Sequence, residues 1–303
     1  RHRDHALRRL PSWGFNTIGN WSDRSFYRNG KVPYVATGWI NGAHKRVASG
    51  NDYWGKMNDP FDPEFRISAR RSLADLGAAI KGDPWCIGVF VDNELSWAGQ
   101  GPDSGRYGLA LGALSYGLDS PAKMALIAQL KDKYNSIPNL NKAWKTTFAS
   151  WSEVEAPLLG PWEFTEAQKI DLSAFVYSLS DRYHQIVKEE LKAVAPDHLY
   201  LGCRFAWYGK EAVEAAVKHT DVISFNIYAP TLDREKWEWT RSLNRPIIIG
   251  EFHFGAADRG MFHPGLVNAV TQSGRAEFYK RYVASVLDHP TFVGCHWFQY
   301  ADQ

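Results

Sequence analysis

Short apolar runs alternate with longer amphipathic stretches along this chain of 303 residues. This alternation is typical of parallel strands joined by crossover helices, and it constrains the fold more than any single motif does. The predicted strands are residues 15–21, 32–37, 86–91, 198–205, 222–228, 247–251 and 292–300. The predicted helices include residues 63–81, 165–194, 210–218, 233–243 and 274–287. We therefore expect an α/β fold built on a parallel sheet.

Seven strands leave such a sheet incomplete. An open sheet has two unpaired edges, whereas eight strands close into a (β/α)8 TIM barrel. Because the chain opens on a predicted helix at residues 5–10, we expect the missing first strand to precede Arg1. We interpret residues 1–303 as one barrel domain that is incomplete at its N-terminus. Residues 96–161 follow the fourth barrel strand and are predicted to be a helical insertion that shapes the cleft.

The composition excludes several classes of partner. The chain has 35 basic and 33 acidic residues, a net charge of +2, and no polybasic stripe for nucleic acid. It has no run of 18 apolar residues, so we predict no membrane span. Its three cysteines lack C-x-x-C spacing and its histidines lack metal-ligand spacing, so we expect no metal site and no cofactor. The 13 Trp, 14 Tyr and 16 Phe favour carbohydrate, because flat rings stack on the apolar faces of sugars.

Two glutamates follow predicted strands at the positions where barrel enzymes keep their catalytic groups. Glu94 ends the run Gly-Val-Phe-Val-Asp-Asn-Glu, and Glu251 ends the run Ile-Ile-Ile-Gly-Glu. Most glycosidases use two carboxyl groups, one to protonate the leaving oxygen and one to attack the sugar or activate water. A barrel places such groups at the carboxyl ends of different strands. The alternative is that each glutamate is a structural strand-end residue paired with an arginine.

Other side chains near these strand ends are candidate substrate-binding residues. Asn93 precedes Glu94, where an amide can hold a sugar hydroxyl, and Tyr228 ends the strand beside Glu251, where a hydroxyl can orient that carboxylate. Trp297, on the last strand, is expected to line the floor of the pocket. The remaining candidates are side chains that can stack on sugars or hydrogen-bond to them: Trp39, Trp97, Trp207, His253 and His296. For each of these residues, packing within the barrel is the alternative interpretation.

Four segments carry a resemblance to a known family. Residues 13–23, 88–97, 250–263 and 296–303 closely resemble glycoside hydrolase family 50, whose members are β-agarases of clan A. Residues 140–151 are similar to the related family 42 β-galactosidases. The resemblance implies that Glu94 is the general acid/base and Glu251 the nucleophile. It also implies a β-sandwich module before the barrel, which this chain does not contain.

The resemblance further implies a retaining β-agarase. Its substrate would be agarose or an agaro-oligosaccharide, cut at the β-1,4 bond from D-galactose to 3,6-anhydro-L-galactose to give neoagaro-oligosaccharides. Secretion or a periplasmic location is expected from the size of that polysaccharide. A β-galactosidase-like enzyme acting on short galactosides and a non-catalytic polysaccharide-binding barrel are the alternatives. Endo or exo action and the oligomeric state remain open.

Overall fold

The structure is a computed structural model that describes residues 2–301. Arg1 and the last two residues of the 296–303 segment lie outside the described residues. Among the described residues, no helix is both long enough and apolar enough to cross a membrane. Cys86 and Cys203 are buried and Cys295 is partly buried, all as free thiols.

The strands form two parallel three-stranded sheets. The first sheet has the order β1 (Tyr34–Gly38), β4 (Cys86–Val91), β5 (Leu199–Tyr200). The second has the order β6 (Ile223–Asn226), β7 (Ile247–Phe252), β8 (Phe292–Trp297). A parallel bridge from Phe205 to Phe225 joins the sheets, and another from Ile18 to Tyr34 extends the first one. Seven parallel segments thus neighbour one another in chain order, as in a TIM-barrel-like fold, but residues 2–301 form no closed barrel.

Two predicted strands are much shorter than expected. The strand predicted at residues 15–21 is reduced to the Ile18 bridge, because its pairing is confined to one side, with residues 33–35. The strand predicted at residues 198–205 pairs over Leu199 and Tyr200. Gly202 and Arg204 have φ angles of +82° and +57°, which interrupt the extended conformation.

The predicted helices are present. Helix α1 (His2–Ser12) precedes the strands, and α2 (Pro63–Ile80) follows β1 with Asp62 as its N-cap. The long helix α8 (Glu166–Val194) begins with a capping box in which Thr165 and Gln168 bond reciprocally. The later helices are α9 (Lys210–Ala216), α10 (Arg234–Trp237) and α11 (Gln272–Leu287), and a 3₁₀ turn (Glu238–Leu243) follows α10.

Five short helices occupy the segment between β4 and α8. They are α3 (Pro102–Arg106), α4 (Gly108–Leu114), α5 (Pro121–Tyr134), α6 (Ile137–Trp144) and α7 (Trp151–Glu155). Two of them are anchored by the buried carboxylate of Asp171 on α8, which accepts hydrogen bonds from Lys133 and Tyr134 of α5 and from Trp144 of α6. The long segment after β4 is therefore fixed to the barrel helices.

The connection after β1 contains a hairpin that the alternation did not predict. Its strands are β2 (Arg46–Val47) and β3 (Met57–Asn58), and its loop packs against α4. A Cβ atom on Gly108 would lie 2.0 Å from the Ser49 carbonyl oxygen, and one on Gly112 would lie 1.8 Å from that of Ala48. Glycine at these two positions lets the hairpin loop approach the helix closely.

Replacing Gly112 by alanine should therefore destabilise the fold. Either the helix or the hairpin loop must move, and overpacking of this kind costs about 1–3 kcal/mol of the free energy of unfolding. Urea denaturation measures the change. Gly294→Ala is a matched control, because the nearest atom to its added Cβ lies 4.0 Å away. Equal stability of the two variants would contradict the close packing of the hairpin.

The buried His184 makes stability depend on pH. It stacks on Trp97 in the core, with ring centroids 5.3 Å apart, and burial lowers its pKa to about 3. In the unfolded chain the same ring titrates near pH 6.5, so below about pH 6.5 the unfolded chain binds more protons. The stabilising contribution of neutral His184 is complete above that pH and is lost as the pH falls towards 3.

We expect the titration of His184 to lower the free energy of unfolding by about 1.4 kcal/mol for each unit by which the pH falls between about 6.5 and 3. Asp92, at the end of β4, acts in the opposite sense, because burial raises its pKa to about 6. Denaturation of the wild type and of His184→Gln, at pH values from about 7 to 5, isolates the histidine. In the variant, the slope of the free energy of unfolding against pH should correspond to about one proton fewer than in the wild type. An unchanged slope would contradict the assignment of this pH dependence to His184.

Candidate active site

Glu251 is held in place by three hydrogen-bond donors. It lies near the end of β7 and is 6% exposed. Its Oε1 accepts from Trp21 Nε1 at 2.7 Å and from the Arg204 guanidinium, and its Oε2 accepts from the Tyr228 hydroxyl at 2.5 Å. These donors fix the orientation of both carboxyl oxygens.

Arg204 supplies the positive charge behind Glu251. Its side chain is fully buried and also donates to the carbonyl oxygen of Gly250 at 3.1 Å. Burial lowers the pKa of Arg204 to about 10, against the charge of Glu251, so the guanidinium remains cationic at neutral pH. Burial and the charge of Glu251 raise the pKa of Tyr228 above its ordinary value, so its hydroxyl keeps its proton and donates. The expected orienting role of Tyr228 fits this geometry.

Glu94 has a different environment. It follows β4 with a φ angle of +48° and is half-buried. Its Oε1 accepts from Asn226 Nδ2 at 2.8 Å, and its Oε2 accepts from Trp54 Nε1 at 3.0 Å. Both donors are neutral, and no arginine or lysine pairs with Glu94 in the described part of the chain. The structural alternative of an arginine pair therefore applies to Glu251 alone.

Asn226 connects the two glutamates. Its backbone is in register with Glu251 on the neighbouring strand, and its side-chain amide donates to Glu94. The same amide nitrogen lies 3.4 Å from Asn93 Oδ1. Neighbouring strands are about 4.8 Å apart, so both carboxyl groups lie at one end of the sheet. The structure thus brings together Asn93, Glu94, Tyr228 and Glu251.

A buried network supports the backbone at Glu94. Asp92 has a φ angle of +59° and accepts from the Ile40 amide at 2.8 Å and from the Tyr183 hydroxyl at 2.6 Å. Its second oxygen also accepts from Asn58 at 3.3 Å. These contacts fix the unusual turn that aims the Glu94 side chain at the strand ends.

Trp97 does not lie in the site. It is 0% exposed and packs against Tyr183, His184 and Phe205 in the core. A ring without an open face cannot stack on a sugar, so the prediction that Trp97 binds substrate does not hold. Trp97 is three residues after Glu94, but the chain is already buried at Ser96, whose hydroxyl donates to the Gly55 carbonyl.

Three of the remaining predicted residues lie on β8 or directly after β7. Trp297 is half-buried against His253, with ring centroids 5.7 Å apart, and donates to the Gln299 carbonyl. The nitrogens of His253 lie 3.1 and 3.3 Å from the carbonyl oxygens of Phe298 and Pro264, so both ring nitrogens face backbone carbonyl groups. Burial and the charge of Arg204 lower the pKa of His296 to about 4, so that ring is neutral beside the site.

Exposed or partly exposed aromatic rings lie on both sides of the two carboxyl groups. Trp21 contacts Trp39 at 5.4 Å between centroids, on the Glu251 side. On the Glu94 side, Tyr53 contacts Trp54 at 4.8 Å and Trp207 at 5.4 Å. Trp39 and Trp207 were expected to be stacking residues, and their placement suits that role.

Four residues that touch the carboxyl groups were not singled out from the sequence: Trp21, Trp54, Arg204 and Asn226. Trp21 lies within a motif that carried the family resemblance, and Asn226 lies within a predicted strand. Arg204 also lies within a predicted strand, residues 198–205, whereas Trp54 has no comparable signal. The described residues contain no group of three or more His, Cys, Asp or Glu side chains arranged to hold a metal ion.

Comparisons with known proteins agree with this geometry. The glycoside hydrolase family 42 model, described as β-galactosidase, matches residues 56–256. β-Agarase B of Vibrio sp. (strain JT0107) is 46% identical over 306 aligned residues, which cover 99% of this chain and 32% of the relative. The chain therefore spans about a third of the length of that curated relative.

Solved structures give the same grouping. An exo-β-agarase superposes with a TM-score of 0.97 at 41% identity, covering 99% of this chain and 41% of that one. PfGH50B superposes with a TM-score of 0.95 at 42% identity, covering 99% of this chain and 43% of that one. More distant β-galactosidase structures share the fold. The chain belongs to glycoside hydrolase family 50, which is related to the family 42 β-galactosidases.

Proposed function

We propose that this chain is the catalytic barrel of a retaining β-agarase. It hydrolyses the β-1,4 galactosidic bonds of agarose and releases neoagaro-oligosaccharides by double displacement. The β-agarases that it resembles at 41–46% identity support the substrate. The catalytic domain is expected to include a first barrel strand in addition to the strands described above, and residues 96–161 are proposed to shape its cleft.

The mechanism rests on one observation, which is that the two carboxyl groups have different environments. Glu251 is buried and receives three donors, one of them a guanidinium cation, which suits a nucleophile that must be ionised. Glu94 is half-exposed and receives two neutral donors, which suits a group that alternates between acid and carboxylate.

In the first step, Glu251 attacks the anomeric carbon of the galactose while Glu94 protonates the oxygen of the departing anhydrogalactose. This step breaks the glycosidic bond and forms a galactosyl ester on Glu251. In the second step, Glu94 accepts a proton from water, which displaces Glu251 and restores both groups. Two displacements at one carbon leave its configuration unchanged.

Neighbouring residues are proposed to position these groups. The Tyr228 hydroxyl and the Arg204 guanidinium hold the Glu251 oxygens and disperse their charge until attack. Asn93, whose amide is next to Asn226, is expected to hold the sugar hydroxyl beside the reacting carbon. Trp297, His253 and His296 are proposed to form the wall and floor below the sugar.

The test is the identity and configuration of the first products. Agarose is incubated with the protein, the oligosaccharides are resolved over time, and the anomeric proton of each new reducing end is followed by NMR. We expect neoagaro-oligosaccharides that appear first as the β-anomer. An initial α-anomer would contradict double displacement.

The same experiment separates the alternatives. Turnover of a simple β-galactoside without cleavage of agarose would support a β-galactosidase-like enzyme, the activity described for the family model that matches residues 56–256. Binding of agarose without any cleavage would support a polysaccharide-binding barrel. Since agarose is too large to enter a cell, secreted or periplasmic action is part of the proposal.

A further inference from the structure

A continuous row of aromatic rings extends from Glu94 to a cavity. Trp54 donates to Glu94, Tyr53 contacts Trp54, and Trp207 contacts Tyr53. Tyr53 is 68% exposed and Trp54 is 66% exposed. Large rings are seldom left open to water in series, and they suit the apolar faces of sugars.

The protein holds this row in place from two directions. Tyr53 and Trp54 lie in the loop of the β2–β3 hairpin, which the glycines of α4 allow to pack closely against that helix. The loop is closed by a bond from the Ser49 amide to Asp52 at 2.9 Å, and the Ser96 hydroxyl donates to Gly55 at 2.8 Å. Such a loop presents its rings with little loss of entropy on binding.

The cavity beyond Trp207 has a volume of about 430 Å³, within the range of small-molecule sites. Its walls are residues 98–106, which begin the segment after β4, and residues 206–209, which follow Arg204; Gly99, Arg106, Trp207 and Gly209 are among them. Most of the lining residues are thus small, and the large side chains among them are Arg106, Trp207 and Tyr208.

A buried carboxylate oxygen lies beside this cavity without a partner. Glu211 is 2% exposed, and its Oε1 accepts from Arg106 at 2.5 Å and from Ser173 at 2.6 Å. Burial opposes ionisation of Glu211, but these hydrogen bonds hold its pKa below the usual value. Its Oε2 has no hydrogen-bond partner among residues 2–301 and lies 2.9 Å from the position of a Cβ on Gly209, which lines the cavity.

We propose that Trp54, Tyr53, Trp207 and this cavity bind the sugars on the leaving-group side of the cut bond. The proposal rests on the proposed function, which makes Glu94 the acid. The acid contacts the oxygen that leaves, whereas the nucleophile contacts the sugar that stays, so the row attached to Glu94 is on the side of the reducing end. Glu211 lies behind the wall of the cavity and binds Arg106, so it supports the sugar site without touching the sugar.

The pair Trp21 and Trp39, attached to Glu251, then contacts the sugar that stays. The structure thus gives the cleft a direction, in which the agarose chain runs from the Glu251 side, at its non-reducing end, to Trp207 and the cavity. Replacing the rings of the aromatic row by alanine should lower kcat/KM for substrates that have sugars on the leaving-group side. Substrates without such sugars should be little changed.

The experiment compares two substrates that share their non-reducing part. One is neoagarohexaose, and the other is the p-nitrophenyl β-glycoside of neoagarobiose, which carries no sugar on the leaving side. We expect Tyr53→Ala and Trp207→Ala each to lower kcat/KM for the hexaose by roughly tenfold. The aryl glycoside should change by less than about twofold. The control Trp39→Ala should lower kcat/KM for both substrates.

Equal losses on both substrates, or no loss on either, would overturn the assignment. A second measurement tests the assignment without relying on turnover. Binding of neoagarohexaose is measured by calorimetry in Glu251→Gln with and without Trp207→Ala, and thermal unfolding verifies that each variant is folded. If the wild type cleaves neither substrate, the proposed function fails. A roughly tenfold loss of binding on Trp207→Ala would still support a sugar-binding role for the aromatic row. Unchanged binding on Trp207→Ala would contradict that role, whichever substrate the enzyme cleaves.

Discussion

Replacing Glu251 by glutamine should lower kcat for agaro-oligosaccharides by at least about 10⁴-fold. An amide has almost the shape of the carboxylate and can still contact Trp21 and Tyr228, but it cannot form the galactosyl ester. Initial rates on neoagarohexaose, measured at saturating substrate, give the change in kcat. Because the hexaose still contacts the same rings, its binding should be retained.

The role of Glu251, as distinct from its importance, is tested by chemical rescue of Glu251→Ala. Truncation opens a space on the face from which the carboxylate attacks. Azide that enters this space attacks the anomeric carbon once, so the product is the α-glycosyl azide. NMR of that azide identifies the configuration. A β-glycosyl azide would mean that Glu251 is not the nucleophile.

Glu190 provides the matched control for the loss of a buried ion pair. It is buried on α8 and bonds Arg66 and Arg70 of α2, remote from the strand ends. Glu190→Gln should lower the stability of the fold, since it weakens two ion pairs, and should leave kcat close to that of the wild type. A large fall in kcat for this variant would show that loss of packing, and not of chemistry, explains the effect at Glu251.

The strand–helix alternation is a strong predictor here because each long helix has its own apolar stripe and its own cap. It also places Glu94 and Glu251, since each is an acidic residue at the end of a buried strand or within three residues after it. The short elements are a different case. The strands β2 and β3 have two residues each, too few for a periodic pattern, so the hairpin with Tyr53 and Trp54 is invisible in the sequence.

The partners of Glu251 were missed for a related reason. Trp21 is 230 positions away along the chain and Arg204 is 47. Both adopt positive φ angles, of +66° and +57°, that no propensity of Trp or Arg predicts. Tertiary packing sets these conformations. Conversely, Trp97 is near Glu94 in sequence, but packing in the core removes it from the site.

Replacing Glu94 by glutamine should lower kcat/KM for agaro-oligosaccharides by about 10³-fold, within the usual range for loss of a general acid. The anhydrogalactose that departs is a poor leaving group without a proton. The p-nitrophenyl β-glycoside of neoagarobiose leaves readily as a phenolate, so formation of the ester should be nearly normal with this substrate. We expect a burst of nitrophenol followed by slow turnover, because Glu94 also activates water in the second step.

Azide separates this role from that of Glu251. In Glu94→Ala the ester still forms on Glu251 from the nitrophenyl substrate, and azide needs no general base to attack it. The second displacement then restores the original configuration, so the product is the β-glycosyl azide and turnover rises with azide concentration. Opposite anomers from the two alanine variants would assign the acid/base to the half-exposed glutamate beside Trp54 and the nucleophile to the buried one beside Arg204. The same α-azide from both variants would contradict the assignment, because it would place neither carboxyl group on the leaving-group side.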